Sequence, residues 1–323
     1  MKVLVIQNRM GIGDMVIFLP YIEAISKHLN TPVSLLVKEN TKCLEYLENN
    51  SNIEDIIILD RDDKKKSGKH YGIRGILNLA REIKKHNFEK VFIFNSSFRY
   101  NIVAKLAKIK NIYQYKLFSK KNQNIIETAK KFLIKNLNIE VESNPTIQLN
   151  PKDILEARQK YQITNNEINI LLGVGGSGPT KRVSGEKFIE LMNFCTNKFK
   201  CKFFIAAGSN EIEEKIVSQI LNSNHKNNCI TLNKLKISKT LPIIKNCNIS
   251  VCNDTSFSHL SAALGIQTIV LMTDTPLLYG NYSSKMYPII PDGEQTVTHG
   301  TLGKDKINPN KIYKKMKELL NLH

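Results

Sequence analysis

Four short stretches hold the side chains with which this chain can do chemistry. In the first, Asn253, Asp254 and Thr255 follow an apolar strand carrying Ile249 and Val251, and His259, Leu260, Ala262, Ala263 and Leu264 then recur at helical spacing. A strand therefore runs through a polar turn into a helix. Thr255 or Ser256 can cap that helix, whose first N–H groups and positive dipole end then suit a phosphate. The same residues equally make an ordinary βα turn with a polar cap.

The second stretch sets Gly11, Ile12 and Gly13 between a strand over 3–6 and a helix carrying Val16, Ile17, Leu19, Ile22 and Ile25, with Asp14 at the junction. Asp14 reads either as a carboxylate at a crevice edge or as a plain helix N-cap. Gly11 and Gly13 look like part of a dinucleotide fingerprint, but its third glycine is missing. In the third stretch a strand ends in Gly173, Val174, Gly175, Gly176, Ser177, Gly178, Pro179, Thr180 and Lys181. Glycines let the backbone approach a ligand closely and the lysine offers a point charge to phosphate, although Walker A spacing fails. The fourth stretch, Gly208-Ser209-Asn210-Glu211, puts a carboxylate where it can accept hydrogen bonds from ribose hydroxyls. Asp60-Arg61-Asp62 imitates a metal-chelating pair, but Asp63 and Lys64, Lys65 and Lys66 beside it favour a charged loop.

The elements that must position these groups alternate. Strands are expected over 33–37, 56–59, 91–94, 168–174, 202–206, 229–232 and 268–272, and helices over 41–47, 100–107, 125–137, 185–196, 212–221, 238–245 and 311–320. One more helix ends near Lys85. Such alternation argues for parallel sheets covered on both faces. Polar, Asn- and Pro-containing sequence over 141–151 reads as a linker. The expected domains are residues 1–150, residues 151–308, and a C-terminal helix over 309–323 that packs back on the first half. Three of the four chemical stretches fall at carboxyl ends of strands in the second half, where open α/β sheets bind ligands.

A chain of 323 residues can bury two cores of this kind. No apolar run reaches the ~18 residues of a membrane span, and the apolar start over 3–6 is too short for a signal-peptide core, so a cytoplasmic location is expected. The six cysteines show no zinc-ligand spacing and read as reduced thiols. The net charge of +18 suggests anionic partners, yet it is spread over both halves. Two local runs stand out: residues 64–85 hold eight basic residues against Glu82, and residues 99–135 ten against Glu127. Runs of this kind are also plain solvated faces.

Taken together, the motifs resemble glycosyltransferase family 9, the heptosyltransferase family of lipopolysaccharide assembly. Gly11-Ile12-Gly13-Asp14 with Leu19-Pro20 resembles that family's G-G-I-G-D…L-P start. Lys181-Arg182 resembles its K-R-W-P, Gly208 to Glu211 its G-x-x-E, and Asn253-Asp254-Thr255-Ser256-Phe257-Ser258-His259-Leu260 its N-D-[ST]-G-x-x-H-L. The likeness runs through nearly the whole chain in the family's order. Val183-Ser184 replaces Trp-Pro, Ser256 stands where glycine is usual, and the chain has no Trp.

The resemblance implies a GT-B fold, two Rossmann-like domains facing each other across a cleft, with the acceptor on the first and the donor on the second. It implies inverting transfer from a nucleotide-diphosphate sugar, typically ADP-heptose, to a lipopolysaccharide-core or related glycan, with no cofactor and no metal. Asp14 would be the catalytic base. Gly176, Ser177, Thr180, Lys181, Gly208, Glu211, Asp254, Thr255, Ser256, Phe257 and His259 would bind the donor. Gly11, Gly13, Lys64 and Arg99 would meet the acceptor, and the basic runs an acceptor or an anionic cytoplasmic leaflet. Two other readings compete. One is a non-catalytic binder of nucleotide sugars or nucleic acid, for which Tyr100, Tyr113, Tyr115 and Phe118 lie inside a basic run. The other is a GT-B sugar-nucleotide epimerase.

Overall fold

Short Val-, Ile- and Leu-rich runs become buried parallel strands, and the amphipathic segments between them become the covering helices. The computed structural model describes residues 1–9, 11–117 and 124–322. Phe118, Lys120 and Lys121 of the second basic run lie outside the described residues. The chain divides into two units, Met1–Pro145 and Thr146–His323, so the boundary falls at the proline of the expected linker.

The first unit contains β1 (Val3–Ile6), α1 (Ile12–Leu29), β2 (Val33–Val37), β3 (Ile53–Ile58), α2 (Gly72–Lys85), β4 (Lys90–Ile93), α3 (Phe98–Leu106), β5 (Asn111–Gln114) and α4 (Ile125–Leu137). Its strands pair in parallel in the order β3-β2-β1-β4-β5. β1 and β2 are buried at every residue, as strands covered on both faces must be. The helix expected over 41–47 is instead two single 3-10 turns, Glu39–Thr41 and Cys43–Glu45. Between them Lys42 takes a left-handed backbone that ends one turn before the next begins.

The second unit runs α5 (Pro151–Lys160), β6 (Ile168–Gly173), α6 (Gly185–Thr196), β7 (Cys201–Ala206), α7 (Glu211–Leu221), β8 (Cys229–Thr231), α8 (Ile237–Lys245), β9 (Ile249–Asn253), α9 (Ser256–Ala263), β10 (Thr268–Leu271), β11 (Met286–Ile289) and α10 (Pro309–Leu320). The parallel order is β11-β10-β9-β6-β7-β8. The chain builds outward from β6 to β8, then crosses back to lay β9 against the other side of β6. The strand order thus reverses between β6 and β9, and a crevice opens at their carboxyl ends. In the first unit the reversal lies between β1 and β4.

Two strands were not expected from the sequence, and both are sheet edges. β5 carries Asn111 and Gln114, and β11 carries Pro288, which an edge strand tolerates because one side of its ladder is unpaired. The expected C-terminal helix is α10. Within its own unit α10 packs on α6, and Ile312 and Met316 join the core there. Among the described residues, no helix is long and apolar enough to cross a membrane.

Candidate active site

At the reversal in the second unit, β6 and β9 run side by side with Gly173 opposite Cys252. A Cβ on Gly173 would stand 2.6 Å from the Cys252 sulfur, so this glycine is where two strands close up. Beyond it Asn253 holds the turn: its amide donates to the carbonyls of Val174 and Gly175 at 2.9 and 3.0 Å, and its Oδ1 accepts from the Val183 N–H at 3.4 Å. Thr255 caps α9, its hydroxyl oxygen accepting from the Phe257 N–H at 3.2 Å. Ser256 is the first residue of that helix, a position serine occupies without strain where the family usually has glycine.

Lys181 reaches this turn. Its Nζ lies 2.6 Å from Asp254 Oδ2, and the aspartate is buried while the lysine keeps a 22% exposed side chain. Burial pushes the Asp254 carboxyl up, but the charges of Lys181 and His259 outweigh it and hold the group below the usual carboxylate range. His259, one turn into α9, lies with Nε2 3.9 Å from Asp254 Oδ1. Its Nδ1 makes a 2.9 Å hydrogen bond with the Tyr282 hydroxyl, and the two rings stack. Thr273, just past β10, donates to the Thr180 carbonyl at 2.8 Å. Loops after three neighbouring strands therefore meet around one ion pair at the positive end of a helix, an arrangement suited to an anionic ligand.

The glycine-rich turn does something other than expected. Glu213, buried in the first turns of α7, accepts from the N–H groups of Gly176 at 3.2 Å and of Gly208, and Arg182 approaches the same carboxylate at 3.4 Å. A Cβ at Gly175 or Gly208 would come within 2.5 or 2.8 Å of that carboxylate. These glycines make room for a protein carboxylate, and the Gly176 N–H, expected for the ligand, is already bonded. Arg182 also donates to the Gly176 carbonyl at 2.9 Å, so it belongs to the same staple. Glu211, expected at the ribose, is exposed and pairs with Lys215. Ser177, Gly178 and Thr180 remain at the rim, Ser177 exposed. Val183, where the family has Trp, is a buried core residue, and Ser184 precedes α6 without a side-chain capping bond.

In the first unit Asp14 is the third residue of α1, and the cap position belongs to Gly11 at φ 102°, with no side-chain capping bond. The N-cap reading of Asp14 is therefore replaced by another role: it accepts from Arg9 Nε at 2.9 Å, at the carboxyl edge of β1. Gly13 lies inside the same first turn. Arg99, expected at an acceptor, donates to the carbonyls of His70 and Gly72 and so ties the start of α3 to the start of α2. Burial lowers its pKa from the ordinary arginine value. Lys64 is exposed in a turn closed by Asp62, which accepts from the N–H groups of Lys64 and Lys65. Asp60 likewise accepts from the Lys69 N–H, so the D-x-D pair is engaged with its own loop. Among the described residues, no group of three or more His, Cys, Asp or Glu side chains is placed to hold a metal ion.

Three aromatic residues of the second basic run, Tyr100, Tyr113 and Tyr115, pack against the interior of the first unit, and Phe118 lies outside the described residues. Tyr100 is fully buried, Tyr113 stacks on Phe92 at 4.7 Å, and Tyr115 meets Phe94 and Phe132 edge-on. Ring faces turned to other rings are not free to stack on nucleobases, which takes three of the four aromatics from the nucleic-acid reading.

Comparison with known proteins agrees with this geometry. The family model described as glycosyltransferase family 9 (heptosyltransferase) matches residues 76–299. Among curated proteins none matches this chain by sequence. Similar solved structures include a family 9 glycosyltransferase from Veillonella parvula, at TM-score 0.79 and 18% identity, covering 99% of this chain and 97% of that one. ADP-heptose lipopolysaccharide heptosyltransferase II of E. coli follows at 0.71 and 16%, covering 99% of each chain. The E. coli heptosyltransferase WaaC with ADP stands at 0.70 and 14%, covering 99% and 100%. These likenesses carry the fold, that of GT-B glycosyltransferases with two Rossmann-like units.

Proposed function

The chain belongs to glycosyltransferase family 9, the heptosyltransferases, and from that premise we propose that it transfers a heptose from ADP-heptose to a lipopolysaccharide-core or related glycan with inversion at the anomeric carbon. The observation that carries this reading is the Lys181–Asp254 pair at 2.6 Å, set at the strand-order reversal beside the N-terminus of α9. That position offers a diphosphate one mobile positive charge and one helix dipole. The solved structure of WaaC with ADP, of the same fold, supports an adenine nucleotide as the first donor to try.

In this reading the acceptor hydroxyl attacks the anomeric carbon as the bond from that carbon to the diphosphate oxygen breaks. Asp14 takes the hydroxyl proton, and the electron pair of the broken bond leaves on the nucleoside diphosphate. Lys181 and the N-terminal end of α9 neutralise the charge that grows there, so the reading needs neither a metal nor a cofactor. Asp254 aims Lys181 while the donor is absent and shares it when the diphosphate arrives. His259, held by Tyr282, lines the donor side. Glu213, Arg182 and Asn253 touch no ligand here and act by shaping the turns that do. The acceptor side takes the carboxyl edge of β1, at an anionic cytoplasmic leaflet where such acceptors are made.

The test is a thermal-shift screen of ADP-, GDP- and UDP-sugars followed by product analysis with and without acceptor. Stabilisation by ADP-heptose above the other donors, with ADP released only when acceptor is present, is the expected result. Preference for another nucleotide sugar removes the donor assignment. Conversion of the nucleotide sugar without any acceptor turns the reading to the epimerase.

A further inference from the structure

The first unit carries large apolar side chains on its surface that lie close to one another. Ile73 is 81% exposed and Leu77 43%, and as residues i and i+4 of α2 they form one stripe. Gly75, Leu79 and Ile83 on the other side of the helix are buried in the core, and so is Ala80, which ends the stripe one turn beyond Leu77. Phe98, 48% exposed, opens α3. The Arg99 guanidinium, donating to the carbonyls of His70 and Gly72, brings that end of α3 beside the start of α2. The three apolar residues thus gather at the start of two neighbouring helices.

The charges of this region are mostly positive, and its acidic side chains are already engaged. Among the described residues, Lys64, Lys66, Arg74 and Arg81 make no salt bridge and Lys65 acts on Asp62 only at longer range, whereas other acidic neighbours are engaged: Asp63 with Arg61 and Lys38, and Glu82 with Lys69 and His70. Asp62 closes its own turn. Exposed large apolar residues ringed by free cations are the chemistry of an interface helix at an anionic bilayer, with cations on the headgroups and apolar tips below them. An acidic protein surface would satisfy the cations but would leave Ile73 with nothing to insert into.

We propose that the tip formed by Ile73, Leu77 and Phe98 inserts into an anionic phospholipid leaflet while Lys64, Lys65, Lys66 and Arg74 bind its headgroups. α2 starts from the carboxyl edge of the sheet, because it follows β3, and Asp14 stands on the same edge after β1. Docking therefore turns the edge that carries Asp14 towards the membrane. The inference rests on the leaflet part of the proposed function but on none of its donor chemistry.

The chain has no Trp, so Ile73→Trp makes a single reporter at a site open enough to accept it. With vesicles of phosphatidylglycerol and phosphatidylcholine, its emission shifts to the blue and is quenched by brominated acyl chains, and neither occurs with phosphatidylcholine alone. In co-sedimentation, Ile73→Gln with Leu77→Gln lowers partitioning to the anionic vesicles at least about tenfold, leaving a remainder abolished by salt. Lys64→Glu, Lys65→Glu and Lys66→Glu together remove binding at low salt. Emission that stays unshifted on bound protein, glutamine variants that bind like the parent chain, or no binding of the parent chain overturns the proposal. No nucleotide sugar enters these assays, so a failed donor assignment leaves their outcome unaffected.

Discussion

Lys181 Nζ stands 2.6 Å from Asp254 Oδ2, joining a lysine delivered by the loop after β6 to an aspartate delivered by the loop after β9, with the carboxylate buried and the ammonium still partly open. The pair is asymmetric. A ligand can take the lysine away from its partner, but nothing can take the aspartate out of the fold.

That asymmetry separates two variants. Lys181→Ala leaves a buried carboxylate without its cation and removes the charge offered to the diphosphate. Its kcat should fall about 100-fold and the donor KM should rise, because charge stabilisation grows as the leaving group departs. Asp254→Asn keeps the lysine but frees its aim, and should cost about 2 kcal/mol in urea unfolding. The held-down carboxyl of Asp254 contributes stability that is complete above the ordinary carboxylate value of 3.8 and is lost as pH falls through its lower folded value, so the cost of Asp254→Asn should be constant across neutral pH. Unchanged donor kinetics in both variants would sink the donor-site assignment.

Asp14 can be tested without disturbing its helix, because the cap of α1 is Gly11. Asp14→Asn keeps an oxygen for Arg9 but cannot take a proton. Transfer should drop by about 10³-fold with donor affinity nearly unchanged, as measured by steady-state rates and calorimetric titration of the donor. Turnover near that of the parent chain would leave Asp14 as no more than the partner of Arg9.

Glu213 should behave as a structural staple. Glu213→Ala strands the N–H groups of Gly176 and Gly208 and leaves Arg182 without its carboxylate, and should lower stability by about 2 to 3 kcal/mol in denaturant titration. Glu213→Gln keeps the acceptor oxygen and should recover part of that loss. If Glu213→Ala melts like the parent chain while donor binding disappears, the carboxylate meets the ligand instead.

His70 gives a pH dependence that is separate from catalysis. Its Nδ1 accepts from the Asp60 N–H at 3.1 Å and its Nε2 lies 3.3 Å from Glu82, at the root of the loop that carries Lys64 to Lys66. Burial lowers its pKa below the ordinary 6.5, and the opposing charges of Glu82 and Asp60 do not restore it, with Lys69 adding to the lowering. The unfolded chain therefore binds the proton first. The stabilising contribution is complete above 6.5 and is lost as pH falls below it. Between about pH 7.5 and about pH 5.5 the parent chain should lose more thermal stability than His70→Asn does. Equal losses in the two would show that the melting curve does not feel His70.

Much of the candidate site could be read from residue order alone, because βα turns announce themselves locally. An apolar strand, a glycine or Asn-Asp turn and a helical repeat place Asp14, Lys181, Asp254 and His259 at strand ends, and the chain's alternation implies two parallel sheets. Strand order is a different kind of fact. Only the folded sheets set β6 against β9 and so bring Lys181 to Asp254, 73 residues away in sequence. Glu213 gave no signal, since it lies two residues past the glutamate that matches the motif, and helical geometry alone turns Glu213 inward and Glu211 to solvent. Tyr282 sits in an unpatterned loop, and its bond to His259 exists only because two loops meet. Arg99 looked free because charge counts ignore backbone carbonyls, and in the fold those carbonyls claim it. Spacing along a chain fixes which groups share an element, whereas burial and long-range hydrogen bonds decide which of them have anything left to offer a ligand.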